Sequence, residues 1–238
     1  MGKQNELQAL VSESRRIVFF GGAGVSTESG IPDFRSVDGL YSQQWKYPPE
    51  TILSHTFFVR HTEAFFEFYR AKMLCLDAKP NAAHHTLAAL ERAGKLTAVV
   101  TQNIDGLHQA AGSKTVHELH GSVHRNYCMD CGRAYDAAYM LSSEGIPRCT
   151  CGGIIKPDVV LYEESLNGRT LEQSVEAISS CDLLIIGGTS LAVYPAAGLV
   201  NYCRGKIAVV NRSSTPLDAK ADLLVQGSIG ETFSALAI

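Results

Sequence analysis

Four clusters of residues capable of chemistry punctuate this chain. The first is Gly21-Gly22-Ala23-Gly24-Val25-Ser26-Thr27-Glu28-Ser29-Gly30, which follows the apolar run Ile17-Val18-Phe19-Phe20. A strand feeding a glycine-rich turn lets backbone N–H groups approach a phosphate closely, because glycine has no Cβ to hold it off. Gly22-x-Gly24 opens a dinucleotide fingerprint, yet Thr27 stands where its third glycine belongs. Ile31-Pro32-Asp33-Phe34-Arg35 then replaces the expected long helix. The second cluster, Gln102-Asn103-Ile104-Asp105-Gly106-Leu107-His108, and the third, His117-Glu118-Leu119-His120-Gly121, each follow a β-branched run. Ligands of open α/β sheets lie beyond the carboxyl ends of strands, so the three clusters predict one shared site.

The fourth cluster is sulfur. Cys128-x-x-Cys131 and Cys149-x-Cys151, with Gly132, Pro147, Gly152 and Gly153 beside them, approximate a four-thiolate zinc pattern. A small polar segment without a core needs such a staple, and four thiolates leave no open position, so the predicted Zn2+ is structural. Four unligated buried cysteines are the plainer alternative. Cys75, Cys181 and Cys203 stand alone in the sequence and are expected to pack as small hydrophobes.

The elements that position these clusters alternate. A helix is predicted over 3–14, strands at 17–20, 96–101, 183–186, 207–210 and 223–225, and helices at 80–94, 170–180 and 195–203. Val159-Val160-Leu161-Tyr162 reads as the point where this rhythm resumes after the cysteine segment. The fold class is therefore α/β: a Rossmann-like, mostly parallel sheet with helices on both faces. Segments 1–36, 80–122 and 157–238 form that domain, 37–79 a helical insertion with a cofactor loop, and 123–156 a zinc-ribbon module. Phe57, Phe58, Phe65, Phe66, Phe68 and Tyr69 give the insertion an aromatic stripe, read chiefly as core packing.

At 238 residues with 45% hydrophobic and 19% charged side chains, the chain has material for a sizeable core. A net charge of −3 gives no reason to expect nucleic-acid or anionic-membrane binding. The apolar run from Leu183 to Val200 is broken by Gly187-Gly188-Thr189-Ser190 and Pro195, which reads as strand, loop and helix instead of a membrane span. No signal-peptide pattern opens the sequence, so a cytoplasmic enzyme, monomeric by default, is expected.

Taken together, Gly22 to Arg35, Thr101 to His108, Glu118 to Gly121, the four cysteines, Gly188-Thr189-Ser190 and Val210-Asn211 closely resemble the sirtuin family of NAD-dependent protein-lysine deacylases, in a compact bacterial-type form. The resemblance runs from about residue 15 to 232. It implies a cleft between a large Rossmann-like lobe and a small lobe, entered by NAD and an acyl-lysine peptide from opposite sides. The implied reaction is attack of the acetyl-lysine oxygen on the nicotinamide ribose, with nicotinamide leaving and O-acetyl-ADP-ribose and free lysine as products.

Residue roles follow from the same resemblance. His120 is the general base, a choice its near-neutral pKa supports, with His117 and His124 as neighbouring rivals. Asn103 holds the ribose or a water, Asp105 and the Ile104 backbone bind the nicotinamide amide, and Gln102 bonds the ribose. Ala23 and Thr27 line the diphosphate turn, and Gly188, Thr189 and Ser190 face them. Asn211 contacts the adenine ribose and Ile229 the adenine; Phe34 caps the nicotinamide pocket and Arg35 pairs with phosphate or orders the loop. The peptide is expected as an added strand between Val159, Val160, Leu161, Tyr162 and the segment bearing Leu191 and Val193. Relatives that prefer acidic acyl groups carry Tyr-x-x-Arg, whereas Tyr69 is followed by Lys72, so acetyl is predicted over succinyl. The loop from Ile31 to Trp45 is expected to close over bound NAD.

Three rivals remain. A dehydrogenase is disfavoured by the missing third glycine, and a nucleic-acid zinc ribbon by the acidic balance. ADP-ribosyl transfer, or removal of other acyl groups, keeps the same fold and stays open as an alternative.

Overall fold

The computed structural model describes residues 2–34, 39–40 and 45–238. Helix α1 (Lys3–Glu13) leads into strand β1 (Ile17–Gly21) and the glycine-rich turn. Three short helices follow, α2 (Pro49–Ile52), α3 (His55–Arg60) and α4 (Thr62–Lys72). The chain then runs through α5 (Ala82–Arg92), β2 (Leu96–Thr101), α6 (Leu107–Ala110) and β3 (Val116–Glu118). The cysteine segment contributes β4 (Gly121–Cys128), β5 (Ala134–Tyr135), α7 (Ala137–Ser142) and β6 (Ile155–Val159). The remainder is α8 (Gly168–Ser180), β7 (Leu183–Gly187), β8 (Lys206–Asn211), β9 (Leu223–Gln226) and α9 (Ile229–Ser234).

Among the described residues the main sheet has six strands in the order β3-β2-β1-β7-β8-β9, and every pairing is parallel. The chain builds outward from β1 in one direction, then returns to place β7 on its other side. That reversal is the switch point at which such sheets open a crevice. Register does the rest. Gly21 lies opposite both Thr101 and Gly187, and Gly187 opposite Val210, so the loops after β1, β2, β7 and β8 emerge side by side.

Alternation along β1 explains its unbroken apolar run. Ile17 and Phe19 enter one core with Leu7, Leu87, Leu90 and Phe233, while Val18 and Phe20 enter the opposite core with Ile178, Leu184 and Leu199. Each such buried side chain contributes roughly 1.5–3 kcal/mol through removal of apolar surface from water. Helix α5 starts where Asn81 caps it, its side chain accepting from the Ala83 N–H.

A third core joins the helical insertion to the cysteine segment. Phe57, Phe58, Phe65, Phe66, Phe68 and Tyr69 are buried with Val123, Met140 and Ile155, so the aromatic stripe packs as a core. The antiparallel ladder of this lobe, β5-β4-β6, begins at Gly121 and ends at Val159, wider than the 123–156 span read from sequence. One further expectation is corrected. Val159 closes β6, and Val160 to Tyr162 join no strand of the main sheet; their backbone bonds go to His120, Leu53 and His55 instead. The helix expected near 195–203 is the 3₁₀ helix Ala196–Tyr202. No helix among the described residues is long and apolar enough to cross a membrane.

Candidate active site

The loops that the parallel register gathers open on a cleft of about 980 Å³ between the sheet and the small lobe. Its floor is backbone. A Cβ on Gly24 would stand 2.9 Å from the Gly188 Cα, and one on Gly188, at φ +60°, would stand 2.4 Å from the Val25 nitrogen. The Gly24 N–H also donates to the Gly188 carbonyl at 2.8 Å. The two glycine-rich turns therefore rest directly on one another, which only residues without a Cβ permit.

Above that floor a chain of hydrogen bonds links the first two clusters. Ser26 Oγ donates to Asp105 Oδ2 at 2.6 Å and accepts from Asn103 Nδ2 at 3.0 Å. The other Asp105 oxygen accepts the Leu107 N–H at 2.9 Å, and the Asn103 N–H donates to Thr101 Oγ1 at 3.0 Å. Asn103 is buried, and both groups are held in single orientations. Gln102 crosses the cleft to donate to Thr189 Oγ1 at 3.0 Å.

His120 sits on the same wall, with its Nδ1 3.0 Å from the Gln102 carbonyl. A carbonyl only accepts, so Nδ1 carries the hydrogen and Nε2 presents its lone pair. Burial holds the imidazole pKa below its ordinary value, against the opposing pull of that carbonyl. The ring is thus neutral and oriented at neutral pH, as a general base must be. The rivals are otherwise engaged. His124 Nε2 lies 2.9 Å from the Asp105 carbonyl, and His117 is half-buried on β3 outside the cleft lining.

Behind Asp105 lies a histidine pair. His84 and His108 are 0% and 1% exposed, with ring centroids 4.7 Å apart. Burial lowers their pKa values to about 4 and about 3. Both are therefore neutral parts of the sheet-lobe core.

The cleft lining includes Ala23, Thr27, Phe34, Gln102, Asn103, Ile104, Asp105, His120, Gly188, Thr189, Ser190, Asn211 and Ile229. At its outer edge come Val159, Val160, Leu161, Tyr162 and Val193. Leu191 is the exception: it is 5% exposed and packs into the sheet core with Leu184 and Ala196. Its apolar side chain gains more from that core than from a half-open groove. Asn211 reaches the cleft with its amide engaged, Oδ1 accepting from the Thr189 N–H at 3.1 Å and Nδ2 donating to the Thr189 carbonyl at 2.7 Å. Arg35 lies outside the described residues, as does most of the segment expected to close over NAD. Of the Tyr69 and Lys72 pair, only Lys72 lines the cleft; Tyr69 is sealed in the aromatic core.

In the small lobe the Sγ atoms of Cys128, Cys131, Cys149 and Cys151 all lie within 4.8 Å of one another. Cys128–Cys151 and Cys131–Cys149 approach to 3.5 and 3.6 Å. A tetrahedral ion with metal–sulfur bonds of about 2.3 Å needs sulfurs at about this spacing, so the residues fit a four-thiolate metal site. Elsewhere Cys181 and Cys203 pack with the sheet core as small hydrophobes, and they also meet, their Sγ atoms 3.9 Å apart.

Sequence reasoning gave Ser26, Asn81 and His84 no role at this site. Ser26 lies within the first motif, but its partners are in the second, and nothing local signals that pairing. Asn81 ties the α5 start to the turn through the Val25 carbonyl at 2.8 Å and Ser29 Oγ at 3.0 Å. The second motif is also bound to the small lobe, where the Val123 N–H donates to the Ile104 carbonyl at 2.9 Å.

Comparison with known proteins agrees across the chain. A family model described as the Sir2 family matches residues 22–195. An NAD-dependent protein deacetylase of Clostridium acetobutylicum is 61% identical, covering 99% of this chain and 98% of that protein. One of Clostridium perfringens is 59% identical over 96% of each. Among solved structures, a Sir2–p53 peptide–NAD+ complex superposes with TM-score 0.87 at 41% identity, covering 98% of this chain and 96% of the other. A Sir2 bound to acetylated peptide gives TM-score 0.86 at 39% identity, with the same coverage.

Proposed function

This chain belongs to the Sir2 family, and we propose from that premise how its own residues carry the reaction. The protein is an NAD-dependent protein-lysine deacetylase acting on acetylated lysine in proteins or peptides. Its products are free lysine, nicotinamide and O-acetyl-ADP-ribose.

NAD is the co-substrate, and its cleavage supplies an electrophilic ribose carbon. Gly24 and Gly188 let the two turns close on one another, and that backbone floor receives the diphosphate. Ala23, Thr27, Thr189 and Ser190 flank that floor, and Ile229 lies by the adenine end. Asn211 holds the Thr189 backbone in place for the ribose beside it. Asp105, fixed by Ser26 and the Leu107 N–H, accepts from the nicotinamide amide, while Ile104 offers its backbone. Asn103 orients the ribose face from which nicotinamide departs, and Phe34 excludes water. In this reading Arg35 pairs with phosphate or orders its loop.

The acetyl-lysine peptide lies along Val160 to Tyr162 and Val193 as an added strand. Its acetyl oxygen attacks the ribose carbon as the C–N bond to nicotinamide breaks. His120 Nε2 then takes a ribose hydroxyl proton, so that the oxygen attacks the acyl carbon and the lysine amine is released after water is added. Cys128, Cys131, Cys149 and Cys151 would hold a Zn2+ that, bound by four thiolates, would staple the lobe and take no part in bond making.

The observation that carries this reading is the His120 bond to the Gln102 carbonyl beside the Ser26-Asn103-Asp105 chain. Incubation with NAD and an acetyl-lysine peptide, with and without His120→Ala, tests it. NAD-dependent release of nicotinamide and acetyl-ADP-ribose is expected from the native protein alone. Deacetylation that needs no NAD, or that survives the substitution, overturns it.

A further inference from the structure

The Cys181–Cys203 contact lies at the end of the sheet away from the cleft, and neither residue lines it. Cys181 caps the end of α8 immediately before β7, and Cys203 ends the 3₁₀ segment Ala196–Tyr202 shortly before β8. Both have extended backbone, so neither side chain is confined by a helical turn. The intervening backbones are already clamped. Lys206 N–H donates to the Asp182 carbonyl at 3.0 Å, and a Cβ on Gly205 would stand 2.4 Å from that same oxygen. The two sulfurs are thus held 3.9 Å apart by parallel strands that cannot separate locally.

The pair is asymmetric. Cys181 is 5% exposed, packed beside Ile178, and its S–H lies 3.1 Å from the Ile178 carbonyl. Cys203 is only half-buried, its Sγ 3.6 Å from the Gly205 carbonyl. The neighbouring Cys181 S–H draws the Cys203 thiol down to about 7, while Cys181 is pushed up. An accessible thiolate beside a buried thiol is the arrangement of an attacking and a resolving cysteine.

We propose that Cys181 and Cys203 form a dithiol modification site that takes a hydroperoxide and closes to an intramolecular disulfide. The Cys203 thiolate attacks one peroxide oxygen, the O–O bond breaks, and the other oxygen leaves and takes up a proton as water or alcohol. Sulfur is oxidised by two electrons to the sulfenic acid and the peroxide is reduced. Cys181 sulfur then attacks the sulfenic sulfur; the S–S bond forms, and hydroxide departs with the Cys181 proton as water. Side-chain rotation closes the sulfurs to a bond of about 2.05 Å. The disulfide joins the starts of β7 and β8, so it stiffens the sheet and leaves the cleft unchanged.

The test is titration of the zinc-loaded protein with hydrogen peroxide, followed by non-reducing peptide mapping and thermal unfolding. One cross-linked peptide containing Cys181 and Cys203 is expected, with a rise in Tm of ~5 °C reversed by dithiothreitol. The rise should be absent in Cys203→Ser and Cys203→Ala, and deacetylase turnover should stay the same before and after oxidation. Recovery of Cys181 and Cys203 as free thiols after zinc has been released overturns the proposal. So does accumulation of Cys203 sulfinic acid without a cross-link.

Discussion

The two lobes that face each other across the cleft are held together by different physics. The sheet lobe buries strands β1 and β7 on both faces, with every residue of Ile17–Gly21 and Leu183–Gly187 buried. The small lobe has a half-buried ladder, exposed Tyr127 and Met129, and a knot of four thiols at its tip. The first is stabilised by apolar area distributed over many residues; the second adds to its aromatic core a few groups whose loss is all-or-none. The lesson is that the cleft has a rigid wall carrying the phosphate floor and a wall whose position depends on chemistry at a distance.

The largest expected effect falls at the junction of the lobes. His120→Ala should lower kcat/KM by ~10²–10⁴ with Tm unchanged, measured by nicotinamide release, because a general base is lost and no core contact is. Equal losses of Tm and activity would mean that His120 is architectural. Chelation of the metal should come next, abolishing most turnover while the sheet lobe keeps its cooperative melt, followed by circular dichroism and calorimetry. Simultaneous melting of both lobes would erase the contrast drawn here.

Gly24→Ala probes the rigid wall, since its Cβ meets backbone that is itself packed. A cost of about 1–3 kcal/mol should appear as ~5–150-fold weaker NAD binding by titration. Acidification probes the same wall through His84 and His108. Their folded pKa values, about 4 and about 3, lie below an unfolded value near 6.5. The unfolded chain therefore binds more protons, and stability, full above pH ~6.5, is lost as pH falls toward 4. A Tm flat between pH 7 and 4.5 would contradict that. Because His120 is also lowered, the acid limb of kcat/KM should fall below pH ~6.5.

The smallest expected effect concerns the acyl group. Lys72 reaches the cleft without Tyr69 beside it, so a succinyl carboxylate would meet one point charge instead of a bidentate pair. Acetyl-lysine should turn over several-fold faster than succinyl-lysine on one peptide, and the reverse order would refute the assignment.

The parallel sheet and the cysteine cluster were legible because each rests on a local rule: an apolar β-branched run between turns, and paired thiols at metal spacing. Leu191 marks the limit of such rules: a sequence places it in a loop without saying which way it turns, and its side chain packs in the core beside Leu184 and Ala196. Ser26 escaped notice for a related reason. Its partners, Asn103 and Asp105, arrive from β2, and a bond across that separation leaves no trace in spacing. The Cys181–Cys203 contact is the same case: adjacency of two strand starts, invisible until the strands are paired.

The stitching of the small lobe to the second motif has a mechanical meaning. Val123 holds Ile104, His124 holds Asp105, and His120 holds Gln102, all within the opening of one strand and its preceding turn. These bonds act as teeth: a tilt of the small lobe, whether from peptide docking or from loss of its metal, must drag the nicotinamide loop with it. The two substrates would then be geared to each other, each sensing through β4 whether the other has arrived.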